Sequence, residues 1–496
     1  VDGNPDAVVV GAGPNGLAAA LRLAAAGLRV RVVERDEQVG GGLRSQALTR
    51  PGFVHDVCSA AHPMAAASPF FGEFDLAARG VRLLHPELPF AHPLDGRPAA
   101  VSRPSVEETA AGFGADGPAY RRLLGPLVEH GQDIVDYFLG SSFRRPPTRS
   151  VAAVTRFGVL GLPSVRRLTR LWFEDDGPRA LIGGAASHGM LPLTRAVTAG
   201  LGLLQGMLAH HAGWPVVEGG SQRMADAMAA ALEEQGGEVV TGHEVSDLRE
   251  FDGVPAVLLD TTPRAFVAMA GDRVHEGYRR WVSRYRYGPG VFKVDWALSE
   301  PVPWTDPEVR RAGTVHVGGT LEEMVAAEAA PAAGRIAERP FVLTVQPTVV
   351  DPTRAPAGGH VLWGYVHVPH GSDVDVTERI EAQIERFAPG FRDTVVERHT
   401  FTAPQMQAGN PNDVGGEISN GQASLWQMLF RPVPRWNTYE TPVPGVFLAS
   451  AATPPGPAVH GMAGDNAARV ALREVFGIRE APRLRPPASV GRRPAG

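Results

Sequence analysis

The side chains whose types and settings suggest chemistry are one terminal acid on an apolar run, a few histidines, a single lysine and a single cysteine. The acid is Glu34. Ahead of it, Gly11, Gly13 and Gly16 form G-x-G-x-x-G directly after the aliphatic run from Ala7 to Val10. That order suits a dinucleotide. The first glycine permits a tight turn, the second brings backbone to a pyrophosphate at a helix N-terminus, and the third lets helix and strand pack closely. The Glu34 carboxylate is placed to accept hydrogen bonds from a ribose diol and would repel a 2′-phosphate; Arg35 adjoins it and is grouped with the same site. Imidazoles are the commonest general bases. His62 precedes Pro63, His188 lies in GGAASHGM, and His460 sits in AVHGM; each is equally readable as a structural histidine. Lys293, in GVFKVDWALS, is the only lysine beside abundant arginine. It joins His62 and His188 as the candidate catalytic set, because an ammonium is a compact charge with a tunable pKa and a guanidinium is a fixed planar fork. Cys58 stands alone, which excludes an intramolecular disulfide framework and any multi-thiolate metal centre, and no metal site is expected.

These residues need elements to hold them. DAVVVGAGPNGLAAALRLAAAGLRVRVVERD reads as strand, turn, helix and strand, the second strand running from Leu28 to Val33. Residues 213–247 give a Gly219-Gly220 turn, an amphipathic helix from about Gln222 to Glu234 and a strand near 238–241, with an apolar strand following at 256–259. Near the end, residues 446–449 read as a strand, followed by a Gly/Pro-rich turn and a helix from about Gly461. GVFKVDWALS alternates as a strand, with Phe292, Val294 and Trp296 on one face and Lys293 and Asp295 on the other.

Soon after Glu34, Gly40, Gly41, Gly42, Leu43, Arg44 and Ser45 supply a GG-x-x-R-S stretch. Here the sequence resembles the FAD-binding fold of the glutathione-reductase type, and the resemblance implies that Gly41, Gly42, Leu43, Arg44 and Ser45 run along the diphosphate and flavin. It implies further that backbone at Val245 contacts adenine, and that Gly461, Met462 and Ala463 present helix N-terminal amides to the flavin pyrimidine. PGF at 51–53, Asp56 and SPFF at 68–71 extend the resemblance to phytoene desaturase-like enzymes. GNPNDVGGEISNGQASLWQMLFRPVPRW at 409–436 looks like the subgroup labelled with a pyridine nucleotide-disulfide oxidoreductase domain. Flavin amine oxidases, cousins of this fold, carry a similar strand whose lysine holds a water at the flavin, which is the role the resemblance implies for Lys293.

The fold expectation is therefore α/β: a Rossmann FAD-binding domain of the glutathione-reductase type, discontinuous in sequence (1–78, 213–284, 436–478), with an α+β substrate domain (79–212, 285–435). The first substrate segment reads as a helical roof. The second reads as a sheet floor, with strands at 290–298, 341–350 and 361–367 and a helix at 377–387. The proline-rich, basic tail, 479–496, is expected to be disordered. The formal charge of −5 excludes the basic field that nucleic acid needs. No signal segment or membrane span is read, and one cysteine fits a reducing, cytoplasmic setting. Residues 156–173 mix Arg166, Arg167 and Arg170 with Leu162, Leu168, Leu171, Trp172 and Phe173; they read as an ordinary domain helix or as a peripheral membrane patch.

Gly200, Gly202 and Gly206 have the wrong spacing for a second dinucleotide site. Electrons are therefore expected to leave to oxygen, a quinone or a partner protein. The expected activity is FAD-dependent dehydrogenation of a small, hydrophobic organic molecule. The alternatives are amine oxidase-type C–N oxidation and a flavin- or lipid-binding protein without turnover.

Overall fold

Four aliphatic side chains in a row suit a strand covered on both faces, and Ala7–Val10 lies at the centre of a parallel sheet. In this computed structural model, which describes residues 4–140, 146–484 and 486, the sheet order is 446–448, 256–259, 7–10, 30–33 and 238–240. Helix Pro14–Ala25 packs on helix Met462–Glu474. Their contact depends on glycine, since a Cβ at Gly464 would lie 1.7 Å from the Asn15 carbonyl oxygen. Elements from the two ends of the chain thus pack in one layer.

The second sheet has seven strands in the order 395–401, 290–298, 360–368, 342–345, 312–317, 88–94 and 97–102. It is antiparallel except where 312–317 meets 88–94. Phe292, Val294, Trp296 and Leu298 pack into an apolar core with Ile380 and Ile384 of helix Thr377–Glu385. Lys293 and Asp295 take the opposite face, as the alternation predicts. Above that face stand helices Asp176–Ser187 and Thr198–His211, packed closely enough that a Cβ at Gly202 would meet the Ile182 carbonyl oxygen at 2.9 Å.

Three expectations change. Residues 79–212 are not all roof, because Leu88–Leu94 and Arg97–Ser102 form one edge of the sheet. LPFAHPL is buried on both faces and carries two prolines, so neither the alternation nor the composition of a strand was visible. The expected strand at 341–350 stops at Val345, because Pro347 opens a 3₁₀ turn. The tail is tied down as far as Leu484. Pro482 carbonyl accepts from buried Arg22, and Leu484 N–H donates to Glu73 at 2.6 Å; residues 485 and 487–496 lie outside the described residues.

In the 156–173 region, Arg166 and Arg170 pair with Glu322, while Leu171 is exposed. Among the described residues no helix is long and apolar enough to cross a membrane.

Candidate functional site

One cavity of about 660 Å³ runs from the glycine turn across to the floor sheet. At its first end are Gly11, Gly13, Glu34, Arg35 and Val245. Strand Val30–Val33 delivers Glu34 to the turn, where its carboxylate accepts from Ala12 N–H at 2.7 Å and Asp36 N–H at 3.0 Å. A carboxylate has about four acceptor sites, so capacity for a diol remains. Gly13 backbone is approached so closely that a Cβ there would sit 2.6 Å from Asp260 Oδ2. This end thus joins the Asp260 carboxyl to the first amides of a helix, and the amides fit the diphosphate of FAD.

The middle of the cavity is walled by Gly41, Gly42, Arg44, Cys58 and the loop 410–413. Arg44 pairs with Asp36 and donates to Gly41 and Gly409 carbonyls at 3.1 and 2.7 Å. Arg35 donates to Gly409 as well. Asn412 completes the anchoring: its amide donates to the Asp260 carbonyl at 2.9 Å and its oxygen accepts from Thr262 N–H at 3.0 Å. These bonds fix Asp413 in the wall, where burial and neighbouring Glu417 raise its carboxyl well above the ordinary range. Burial pushes the Cys58 thiol up to about 12, so it is no thiolate.

The far end is a chamber between roof and floor, bordered by Leu201, Leu204, Trp214, Leu343, Trp363 and Tyr365. The floor aromatics are Trp363 and Tyr365, in edge contact at 5.3 Å between ring centroids. Trp214 gives its N–H to Thr314 at 3.0 Å. His188 also borders the chamber, 3.0 Å from His316 through their Nε2 atoms, and burial lowers it to about 3. His62 lines the wall between middle and chamber. Its tautomer follows from its partners. Ser221 hydroxyl is 2.8 Å from both the Ser59 carbonyl, which only accepts, and His62 Nε2. The hydroxyl proton goes to the carbonyl, so His62 donates from Nε2 and keeps a lone pair on Nδ1. Burial lowers it to about 4 and holds it neutral.

The structure brings Gly11, Gly13, Glu34, Arg35, Gly41, Gly42, Arg44, His62, His188 and Val245 to one cavity. It places the other expected residues elsewhere. Gly16 lies behind the turn and gives its N–H to Asp260 at 2.9 Å. Leu43 is a core residue, and Ser45 donates to Asp56 at 2.7 Å. Gly461, Met462 and Ala463 stop short of the cavity, whose wall is made by Pro457, Ala458 and Val459 instead. Met462 N–H is spent on His460 Nδ1 at 3.0 Å, and a Cβ at Gly461 would strike Phe70 at 2.7 Å. That makes His460 a cap for the last helix.

Lys293 does not border the cavity either. It is 1% exposed, paired with Asp295, and flanked by the rings of Trp363 and Phe401 at 5.7 and 5.6 Å. Register puts it on the same face as the floor aromatics, Lys293 opposite Tyr365 and Asp295 opposite Trp363, so the pair is buried beside the chamber floor; burial holds the Asp295 carboxyl up at about 6 despite the ammonium. His55 Nδ1 stands 3.6 Å from the other Asp295 oxygen.

Sequence reasoning missed Asp260, Asp413, Trp214, Trp363 and Tyr365. For Asp260 a signal existed: it ends the apolar run 256–259 as Glu34 ends 30–33, and ligands of open parallel sheets gather at such carboxyl ends.

A family model described as FAD dependent oxidoreductase matches residues 6–274. The chain is 25% identical to pyridine nucleotide-disulfide oxidoreductase domain-containing protein 2 of Rattus norvegicus, over 95% of this chain and 94% of that protein. It is 27% identical to the phytoene desaturase (neurosporene-forming) of Rhodobacter capsulatus, over 94% and 93% respectively. A phytoene dehydrogenase of Streptomyces griseus is 30% identical over 71% of each chain. Among solved structures, an oxidoreductase from Methanosarcina mazei superposes with a TM-score of 0.64 at 17% identity, covering 94% of this chain and 99% of that one. Wild-type putrescine oxidase bound to putrescine gives 0.57 at 18% identity, covering 96% and 98%. These two superpositions show the shared fold.

Proposed function

The chain belongs to the FAD-dependent oxidoreductase family, and from that premise we propose that it dehydrogenates a largely apolar organic substrate, its electrons passing on to oxygen, a quinone or a partner protein. The observation that carries the substrate class is the chamber lining. Among the described residues of that half, the side chains are aliphatic, aromatic or neutral polar, and its titratable members, His188 and Tyr365, are held uncharged by burial. A cationic amine would find no carboxylate there. An apolar chain would find surface worth roughly 25 cal/mol for each Å² it buries.

Gly11, Gly13, Glu34, Gly42, Arg44 and Val245 would hold FAD, which when bound would supply the acceptor for a hydride. The chain's own residues do the rest. The 409–413 loop, clamped by Arg35, Arg44 and Asn412, closes the middle of the cavity against water. Trp363 and Tyr365 give the substrate a flat floor. His62 and His188, both neutral, orient polar substrate atoms through hydrogen bonds, and their lowered pKa values make them weak bases, suited to a C–H bond that leaves mainly as hydride. Lys293, paired with Asp295, packs against the Trp363 ring from beside it on the same face of the sheet.

The test is Leu343→Glu, which sets a carboxylate in the chamber floor. FAD content should be kept and reduction of the flavin by apolar substrates lost. Unchanged reduction would remove the chamber as the substrate site.

A further inference from the structure

The three glycines of the turn converge on one residue, Asp260. A Cβ at Gly13 would lie 2.6 Å from Asp260 Oδ2, one at Gly16 3.2 Å from Asp260 Cβ, and one at Gly11 3.1 Å from the Asp260 carbonyl oxygen. Asp260 follows strand Ala256–Leu259, and its N–H is fixed to the Val10 carbonyl at 2.8 Å. Its Oδ2 accepts the Gly16 N–H at 2.9 Å. The side chain is 8% exposed and borders the cavity beside Gly11 and Gly13. A carboxyl group thus borders the cradle that an anion must enter. Ionised, it would repel a diphosphate at close range and compete for the amides of the helix start.

The geometry points to Asp260 as a member of the diphosphate site that works as the neutral acid. It carries a proton when the dinucleotide binds and offers an O–H to the diphosphate oxygens, so that FAD capture above neutral pH takes up one proton from solvent. This role rests on FAD being the cofactor. Burial, with a contribution from the Glu34 carboxylate, raises Asp260 to about 7, against the Gly16 N–H, which favours the ionised form. The charged group facing it from the second strand is Glu34. From the 410–413 loop, Asn412 engages only the Asp260 backbone oxygen, and Asp413 is itself raised by burial. The glycine turn contributes amides without charge. Bringing in a diphosphate raises Asp260 further, so the ionised fraction of the free site is what binding must titrate.

The experiment is FAD binding to apoprotein, read by quenching of flavin fluorescence between pH 6 and pH 8.5, for the native protein and for Asp260→Asn. With a free-site pKa of about 7, the native Kd should weaken by about thirtyfold across that range, while Asp260→Asn, which keeps an acceptor for Gly16 and cannot ionise, should stay flat. Calorimetry of the native protein alone, in buffers of different ionisation enthalpy at pH 8.5, should show uptake of about one proton and does not depend on the variant folding. Equal pH slopes in both proteins, or binding without proton uptake, would overturn the role of Asp260 while leaving the cofactor site in place. Failure to bind FAD at any pH would overturn both.

Discussion

Replacing Lys293 with methionine removes the cation from a pair in which neither side chain is more than 1% exposed. Asp295 is left against His55 and the floor aromatics. Its carboxyl stands at about 6 with the ammonium present, so it rises further without it. The sign follows from linkage. A carboxyl whose folded pKa exceeds its unfolded value of about 3.9 makes folding less favourable as pH climbs between the two, at about 1.4 kcal/mol per unit, and the loss is constant above the folded value. In the native protein that loss builds up to about pH 6 and stops. In Lys293→Met it keeps building above pH 6. Near pH 5.5 Asp295 is mostly protonated in both proteins, and the variant should be less stable by about 1 kcal/mol or less; by pH 8.5 the gap should widen to about 3–5 kcal/mol, the cost of stranding a buried charge. The assay is urea denaturation of the FAD-loaded proteins at the two pH values, with Lys293→Met/Asp295→Asn as the companion that should recover most of the loss at pH 8.5. A gap equal at both pH values, or no recovery in the double variant, would refute the ion-pair account of this lysine.

Gly13→Ala should leave far-ultraviolet circular dichroism close to native but lose bound flavin, since the new Cβ meets Asp260 Oδ2 at 2.6 Å; flavin absorbance of the purified protein reads this directly. Arg354→Leu should lower stability by about 3–5 kcal/mol, because Arg354 and both its carboxylate partners, Asp56 and Asp351, are buried and Asp56 also holds Ser45 and Ser221. His55, His62, His92, His188, His316 and His460 are all lowered by burial, so their share of stability is present above about pH 6.5 and falls away beneath it, while the raised carboxyls of Asp260 and Asp295 work the other way; imidazole resonances of these rings should stay at the neutral-form position down to pH 5, and protonated rings there would contradict their buried neutral state.

Much of the Rossmann half was legible in the sequence because each element carries its own punctuation. Gly11, Gly13 and Gly16 mark the turn, Gly219-Gly220 precedes the helix Gln222–Glu234, and a Gly/Pro-rich turn precedes Met462–Glu474; all three sit where the sequence places them. The face on which Lys293 lies was equally readable from alternation. What that face packs against was not, since Lys293 meets Tyr365 and Phe401 through strand registers fixed by long-range pairing. Asp260 and Gly16 are 244 residues apart and joined by one hydrogen bond, a closeness no local pattern encodes. The shift of the cavity wall from Gly461–Ala463 to Pro457–Val459 has a similar origin. Whether a helix start points at a ligand or is capped by His460 depends on a side-chain bond, not on the helix signal.

The most direct test of the central claim is anaerobic mixing of the FAD-loaded protein with a conjugated apolar polyene and, separately, with an aliphatic diamine, followed by flavin absorbance. An uncharged chamber joined to the flavin site predicts bleaching by the polyene and none by the diamine. Bleaching by the diamine with an inert polyene would contradict it and turn the enzyme into an amine oxidase.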